Sequence, residues 1–313
     1  MFWRLKTTVK DYYAKAYCQL NTPNKASVVL YHGIDQFSNK NYNYRFFSCK
    51  EFALQLKYLK SKYRIVPLRN LFNEPNNKKL CAITFDDRYE NWLSLALPII
   101  QKEHVPVTFC TSSNSSGLNF IWTDFFDIAS KECNTNISLD RMSFNKNNNG
   151  SYINSDNIYL KDYLKSKSFE YKLETIYQFK KAGFELEKHD PIYWRVLTDK
   201  QISTISKNKL VEIGSHSDNH NNLSKISAIE AEEELRYSKE TLEKVIEKEI
   251  ISIAYPDGDY NRQIISTAEE IGYKHQLACN YLFPEDISDK RILSRLGLYT
   301  HQSTYQQFKE NIF

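Results

Sequence analysis

Short apolar segments alternate with amphipathic helical segments along most of this chain of 313 residues. The apolar segments are rich in β-branched and aromatic residues, which is typical of buried strands. They lie at 27–33, 63–68, 81–85, 105–110, 209–216, 250–256, 275–279 and 295–299. Strands that alternate with helices predict a parallel sheet covered by helices, and about eight of them favour a closed α/β barrel over an open sheet.

The alternation stops between about residues 118 and 198. This stretch contains an asparagine-rich tract at 145–149 and a helical segment rich in tyrosine and lysine at 161–184, but no clear strand pattern. We therefore predict a partly helical insertion on one loop of the barrel, with a mobile asparagine-rich tip. The predicted organisation is an N-terminal segment at 1–25 and a barrel domain at 26–313 that the insertion interrupts.

Composition excludes several partners and locations. The net charge of +4 is small and the positive charges are scattered, so we expect no nucleic-acid partner. No apolar run approaches the ~18–20 residues of a transmembrane helix. The aromatic residues and lysines of residues 2–20 leave two alternatives open, a packed helix or a segment that touches a membrane surface.

The six cysteines form no CxxC pair, and Cys81, Cys110 and Cys279 lie in apolar strand-like runs. Buried free thiols are typical of a reducing compartment. The first residues also lack the continuous apolar region of a secretory signal. We predict a cytoplasmic location, with the inner face of the membrane included.

Two adjacent carboxylates, Asp86 and Asp87, directly follow the apolar run Cys81–Phe85. Barrel folds carry their chemistry at the C-terminal ends of the strands, which is where this pair is expected. Two like charges side by side repel each other, so the pair needs a compensating cation or a shared proton.

Two histidines four positions apart, His216 and His220, follow another strand-like run. Two imidazoles and one carboxylate are a common ligand set for a catalytic metal. The strands of a parallel barrel end on one rim, so we expect these histidines, the Asp pair, His32 and residues 255–258 to converge there. A dication at this rim would hold one carboxylate and relieve the repulsion.

The segments Thr84–Asp87, His216–His220 and Ala254–Gly258 resemble three motifs of the polysaccharide deacetylase family, which is the NodB homology domain of carbohydrate esterase family 4. The resemblance covers about residues 26–116 and 205–300. It implies a single distorted (β/α) barrel of about seven to eight strands and a divalent metal. Zinc is the first expectation, with nickel, cobalt, iron or manganese as alternatives.

The resemblance also implies roles for individual residues. Asp86 matches the general base of the family. The metal ligands match Asp87, His216 and His220.

The catalytic acid has two candidates. In most members it is a late histidine, and the late strand here leads to His301. The early segment Leu30–Gly33 instead resembles a circularly permuted branch that includes poly-N-acetylglucosamine deacetylases, in which the acid histidine precedes the Asp pair. We therefore predict His32 as the acid and keep His301 as the second candidate.

Three positions depart from the family pattern. Arg88 stands where a glycine is usual, and Ala254 stands where an arginine usually orients the base. We expect Arg295 to replace that arginine, ahead of Arg88 or Arg291. Asp257 stands at a usual aromatic position, and its backbone N–H could still stabilise an oxyanion.

The predicted function is metal-dependent removal of an acetyl group, an N-acetyl group first, from a glycan or a lipid- or nucleotide-linked sugar in surface-polysaccharide synthesis. We expect Tyr255, Arg88 and Trp122 to contact the sugar. Two alternatives stay open. One is an inactive carbohydrate-binding protein on a deacetylase fold, which Arg88 and Ala254 motivate, and the other is a hydrolase of another acyl amide.

Overall fold

The computed structural model describes residues 2–37 and 43–312, with side chains from Lys10 onward. The strands are β1 (Ser27–Tyr31), β2 (Ile34–Asp35), β3 (Phe47–Ser48), β4 (Arg64–Ile65), β5 (Leu80–Asp87), β6 (Val107–Thr111), β7 (Ile137–Leu139), β8 (Met142–Lys146), β9 (Tyr152–Ile153), β10 (Val211–Ser215), β11 (Ser252–Ala254), β12 (His275–Ala278), β13 (Ile292–Ser294) and β14 (Leu296–Gly297). The helices are α1 (Phe2–Leu20), α2 (Cys49–Lys62), α3 (Leu68–Asn73), α4 (Leu97–Glu103), α5 (Trp122–Glu132), α6 (Leu160–Lys165), α7 (Phe169–Lys181), α8 (Asp199–Ile205), α9 (Ala228–Ile246), α10 (Arg262–Ile271) and α11 (Thr304–Asn311).

The main sheet is parallel and curls into a nearly closed barrel. Its strand order is β13–β12–β11–β10–β6–β5–β1–β14, and β4 adds to the start of β5. Strands β13 and β14 are two pieces of one segment, separated only by Arg295. The first piece pairs with β12 and the second with β1, so together they close the ring. The predicted distorted α/β barrel is confirmed.

Aromatic side chains pack on the outer face of the barrel strands, between the sheet and helices such as α2, whose Phe52 contacts both Tyr31 and Phe85. The rings of Tyr31 and Phe85 stack with centroids 5.3 Å apart, and those of Trp92 and Phe109 stack at 4.7 Å. Burial of each such side chain contributes about 1.5–3 kcal/mol. The indole Nε1–H of Trp92 also donates to the backbone oxygen of His32 at 2.6 Å, which fixes the chain where β1 ends.

Capping boxes fix the first turns of three helices around the barrel. Ser48 begins α2, Thr198 begins α8 and Ser227 begins α9, and each hydroxyl accepts the backbone N–H three residues later. An N-cap of this kind stabilises a helix by about 1 kcal/mol.

The insertion contains strands that the sequence analysis missed. Strands β7, β8 and β9 form a small antiparallel sheet, and the asparagine-rich tract forms the turn between β8 and β9. These strands have only two to five residues each, which is too short for a clear periodic signal in the sequence. A separate hydrophobic cluster, with buried members between Phe120 and Val196, holds the sheet against α5 and α7.

The C-terminal half of α1 packs on α2 and α11. The hydroxyl of Tyr58 donates to the backbone oxygen of Cys18, and its ring stacks on Phe308. The side chains of residues 1–9 lie outside the described part, so the expected membrane contact of residues 1–20 stays a prediction. Among the described residues, no helix is both long enough and apolar enough to cross a membrane.

Candidate active site

Four strand ends meet around a cleft of about 490 Å³ at the C-terminal rim of the barrel. Strand β5 ends on the Asp pair, β1 leads into His32, β10 leads into the two histidines, and β11 leads into the turn at 256–258. Thr123, Asp127 and Lys131 of α5 and Lys161 and Lys165 of α6 add a wall from the insertion. The convergence expected from the sequence is therefore present in the fold.

Asp87, His216 and His220 form a buried three-residue cluster. The Oδ1 atom of Asp87 lies 3.4 Å from Nε2 of His216 and 3.2 Å from Nε2 of His220. The potential ligand atoms all lie within 4.8 Å of one another. One carboxylate oxygen and two imidazole nitrogens at this spacing are a donor set that suits a divalent metal.

The hydrogen bonding of His216 also suits metal binding. Nδ1 of His216 lies 2.8 Å from the backbone oxygen of Ala254, which places its proton on Nδ1 and leaves the Nε2 lone pair facing Asp87. Burial lowers the pKa of His216, but Asp86 and Asp87 outweigh it and raise the pKa above its ordinary value. A cation between Nε2 of His216 and Asp87 would replace the second proton, which the raised pKa favours on Nε2.

Left-handed backbone conformations cluster at the rim. Asp87 has a φ of 93°, Ser217 of 59°, His220 of 57° and Asp257 of 58°. Non-glycine residues adopt such angles rarely, at a cost of about 1–3 kcal/mol each. Asp87 and His220 are two of the three cluster residues, so the surrounding fold must offset this cost to hold their side chains at the rim.

Asp86 is paired with Arg295 rather than with the cluster. The guanidinium donates to both carboxylate oxygens at 2.7 and 2.6 Å, and it also reaches the Thr84 hydroxyl at 3.3 Å. Burial raises the pKa of Asp86, but Arg295 outweighs it and holds the pKa below its ordinary value. A carboxylate that stays ionised beside Asp87, His216 and His220 can accept a proton.

Arg295 thus occupies the place expected for an arginine that orients the base, although Ala254 stands at the usual motif position. It sits at the break between β13 and β14, and its side chain is fully buried. The third candidate, Arg291, instead pairs with Asp289 and Glu269 near the surface.

The two candidate acids lie in different surroundings. His32 lines the cleft, and its buried Nδ1 has no hydrogen-bond partner among the described residues. Burial lowers the pKa of His32 to about 4. His301 is exposed and packs against the rings of Tyr44 and Tyr299 without lining the cleft.

Asp257 lines the cleft together with Gly258. Its carboxylate pairs with Lys165 at 3.2 Å, so the side chain is engaged with the insertion while the backbone turns at the rim. Gly258 allows this turn because it has a φ of 69° and because a Cβ there would lie 2.6 Å from Cβ of Cys279.

Three side chains expected to contact sugar are buried and do not line the cleft. Tyr255 is fully buried and donates to the side-chain oxygen of Gln276 at 2.6 Å. Trp122 is buried under the histidine loop and donates to the backbone oxygen of His220 at 2.9 Å. Their polar atoms are already satisfied within the protein.

Arg88 is the third of these side chains. It donates to the backbone oxygens of Leu197, Ser112 and Ser113 and to the carboxylate of Asp199. Arg88 therefore connects the C-terminal end of the insertion to the loop after β6. Since it leaves the cleft open, the exchange of glycine for arginine does not obstruct the site.

Arg45 belongs to the site and was missed by the sequence analysis. It lines the cleft and donates to Oδ2 of Asp87 at 3.2 Å and to Oδ1 of Asp124 at 2.9 Å. Burial raises the pKa of Asp124 to about 7, although Arg45 acts to lower it. No motif or strand end marks Arg45, because it lies in an irregular loop before β3.

A family model described as polysaccharide deacetylase matches residues 73–275, about two thirds of the chain. This range contains the Asp pair, both histidines and the insertion. A search of curated protein sequences finds no match.

Solved structures of low sequence identity share the fold. The Streptococcus pyogenes deacetylase PplD in complex with acetate has a TM-score of 0.58 at 19% identity, over 93% of this chain and 100% of that one. A de-N-acetylase from Aggregatibacter actinomycetemcomitans has a TM-score of 0.56 at 18% identity, over 91% and 99%. IcaB from Ammonifex degensii has a TM-score of 0.55 at 14% identity, over 92% and 97%.

Proposed function

This chain belongs to the polysaccharide deacetylase family, and we propose that it removes an N-acetyl group from a glycan or from a lipid- or nucleotide-linked sugar in surface-polysaccharide synthesis. The observation that carries this proposal is the pairing of a buried three-residue metal cluster with a separate, arginine-held carboxylate in one cleft. This pairing places a proton acceptor beside a site for a cation, which are the two groups that hydrolysis of an acetamide requires.

Asp87, His216 and His220 would hold one divalent ion, which we propose to be zinc because two imidazoles and a carboxylate are frequent zinc ligands. The ion would polarise the acetyl carbonyl and make water a stronger nucleophile near neutral pH.

The protein's own groups then move the protons. Asp86 accepts a proton from the attacking water, whose oxygen forms a bond to the carbonyl carbon. The backbone N–H of Asp257 donates to the developing oxyanion. His32 delivers a proton to the leaving nitrogen as the carbon–nitrogen bond breaks, so acetate and a free amine result. With its pKa near 4, His32 is neutral at rest and takes up this proton from solvent as the negative charge of the oxyanion develops. Asp86 returns the proton it accepted to solvent after acetate leaves.

We further propose that His32 places this chain in the circularly permuted branch, with the acid before the Asp pair. The proposed location is the cytoplasm, and the buried free thiols of Cys81 and Cys110 support a reducing compartment.

The test is release of acetate from N-acetylglucosamine oligomers of different linkage and from lipid- and nucleotide-linked N-acetyl sugars. We expect activity that a chelator removes and Zn²⁺ restores. If the zinc-loaded protein released no acetate from any member of this panel, the proposed function would be contradicted.

His32→Gln is expected to lower kcat on acetamide substrates by about 10²-fold, because the amine leaves poorly without a proton. The loss should be smaller on an aryl acetate ester, whose phenolate leaves unprotonated. His301→Gln is the matched control and should retain wild-type activity on both substrates. Equal losses on amide and ester would exclude His32 as the acid.

A further inference from the structure

Arg45 connects three parts of the chain at one metal ligand. Besides the carboxylates of Asp87 and Asp124, its guanidinium reaches the Tyr89 hydroxyl at 3.2 Å and the side-chain oxygen of Asn43 at 3.2 Å. Asp124 lies on α5 of the insertion, Asp87 ends a barrel strand, and Arg45 lies between β2 and β3. The side chains of both aspartates are almost fully buried, and that of Arg45 is 18% exposed.

The two oxygens of Asp87 have different partners. Oδ2 accepts from Arg45, whereas Oδ1 faces the Nε2 atoms of both histidines. A guanidinium donates in fixed directions, so this hydrogen bond to Oδ2 restrains the rotation of the carboxylate and keeps Oδ1 turned towards the histidines. We propose that Arg45, itself held by Asp124, is a positioning residue that presents Asp87 to the metal through Oδ1 alone. The inference rests on the metal site of the proposed function.

The insertion supports this arrangement at two points. The second oxygen of Asp124 accepts the Tyr89 hydroxyl at 2.7 Å, so both oxygens of this carboxylate are engaged. On the same helix, Trp122 donates to the backbone oxygen of His220. Helix α5 therefore contacts Asp87 through Arg45 and contacts the loop of the second histidine directly. This makes the insertion a part of the metal site as well as one wall of the cleft.

The test measures metal binding without substrate. Zn²⁺ affinity is obtained by competition with a chromophoric chelator, and the visible spectrum of the Co²⁺ form reports the coordination. Arg45→Lys keeps the charge but loses the planar fork, and we expect about a 10- to 100-fold loss of Zn²⁺ affinity. If Oδ2 is released and joins the coordination, the Co²⁺ bands should also lose intensity.

Asp124→Asn is expected to weaken Zn²⁺ binding in the same direction. The double variant Arg45→Lys/Asp124→Asn should lose no more than the larger single loss, because both act through one contact. Arg69→Lys is the matched control with unchanged affinity, since Arg69 pairs with Glu212 at the opposite end of the barrel.

Wild-type affinity and an unchanged Co²⁺ spectrum in both Arg45→Lys and Asp124→Asn would overturn the inference, even if thermal stability fell. A wild-type protein that binds neither ion would overturn the metal site and the inference together. Metal binding that responds as expected, without acetate release from any substrate, would contradict the proposed function alone.

Discussion

Asp86→Asn is expected to lower kcat for acetate release by about 10²- to 10⁴-fold, because the attacking water loses its proton acceptor. Asp86 is held by the two terminal nitrogens of Arg295, and its Oδ2 lies 4.0 Å from Nε2 of His216, farther than Oδ1 of Asp87 lies from either imidazole. We therefore expect the variant to keep its Zn²⁺ affinity within about threefold of wild type. Two measurements check this: initial rates of acetate release at varied substrate concentration give kcat, and a Zn²⁺ titration gives the affinity for the metal.

Glu212→Gln is the control for Asp86→Asn. Glu212 is a partly buried carboxylate that, like Asp86, is paired with an arginine, but it lies near the start of β10, away from the rim. The control should retain wild-type kcat. An Asp86→Asn protein that binds zinc normally and deacetylates at the wild-type rate would exclude Asp86 as the base.

Arg295→Met is expected to destabilise the protein by about 3–5 kcal/mol at neutral pH, since it leaves the Asp86 charge buried without its partner. Urea denaturation measures the free energy of unfolding. Arg291→Met is the matched control, because its ion pairs with Asp289 and Glu269 are closer to solvent and are worth about 0–1 kcal/mol each. Similar losses in the two variants would contradict this account of Arg295.

The loss of unfolding free energy in Arg295→Met should depend on pH in a defined direction. In the wild type, the folded pKa of Asp86 is below its ordinary value of 3.8, so the pair stabilises the fold above that pH and the contribution fades as pH falls. Without Arg295, burial raises the folded pKa above the unfolded one, so protonation favours the folded variant. The stability gap between wild type and Arg295→Met should therefore narrow from pH 7 towards pH 4.

The sequence predicted the parts of the site that carry local signals. Each of the Asp pair, His32 and the two histidines follows a short apolar run, and strand ends of a parallel barrel meet on one rim. Arg295 could be proposed because it begins the last strand-like run. The break in the strand at Arg295 could not be read, since nothing in Leu293–Leu298 distinguishes a broken strand from a continuous one.

The missed features depend on contacts between distant segments. Arg45 and Asp124 lie 79 positions apart, and neither stands in a regular pattern that would indicate a partner. For Arg88, Tyr255 and Trp122, residue type and position near the motifs suggested sugar contact. The fold of the insertion against the rim buries Arg88 and Trp122. Tyr255 is instead buried against Gln276 and Tyr260, and neither set of contacts can be read from a single residue.

The position of Arg295 also links catalysis to the closure of the barrel. Arg295 and Asp86 are 209 positions apart and meet only when the final strand closes the ring. The two short pieces on either side of Arg295 give that seam few backbone hydrogen bonds, and weakly bonded regions open before the whole fold does. Activity should therefore report on barrel closure. We expect acetate release to be lost at a lower urea concentration than the helical circular dichroism signal.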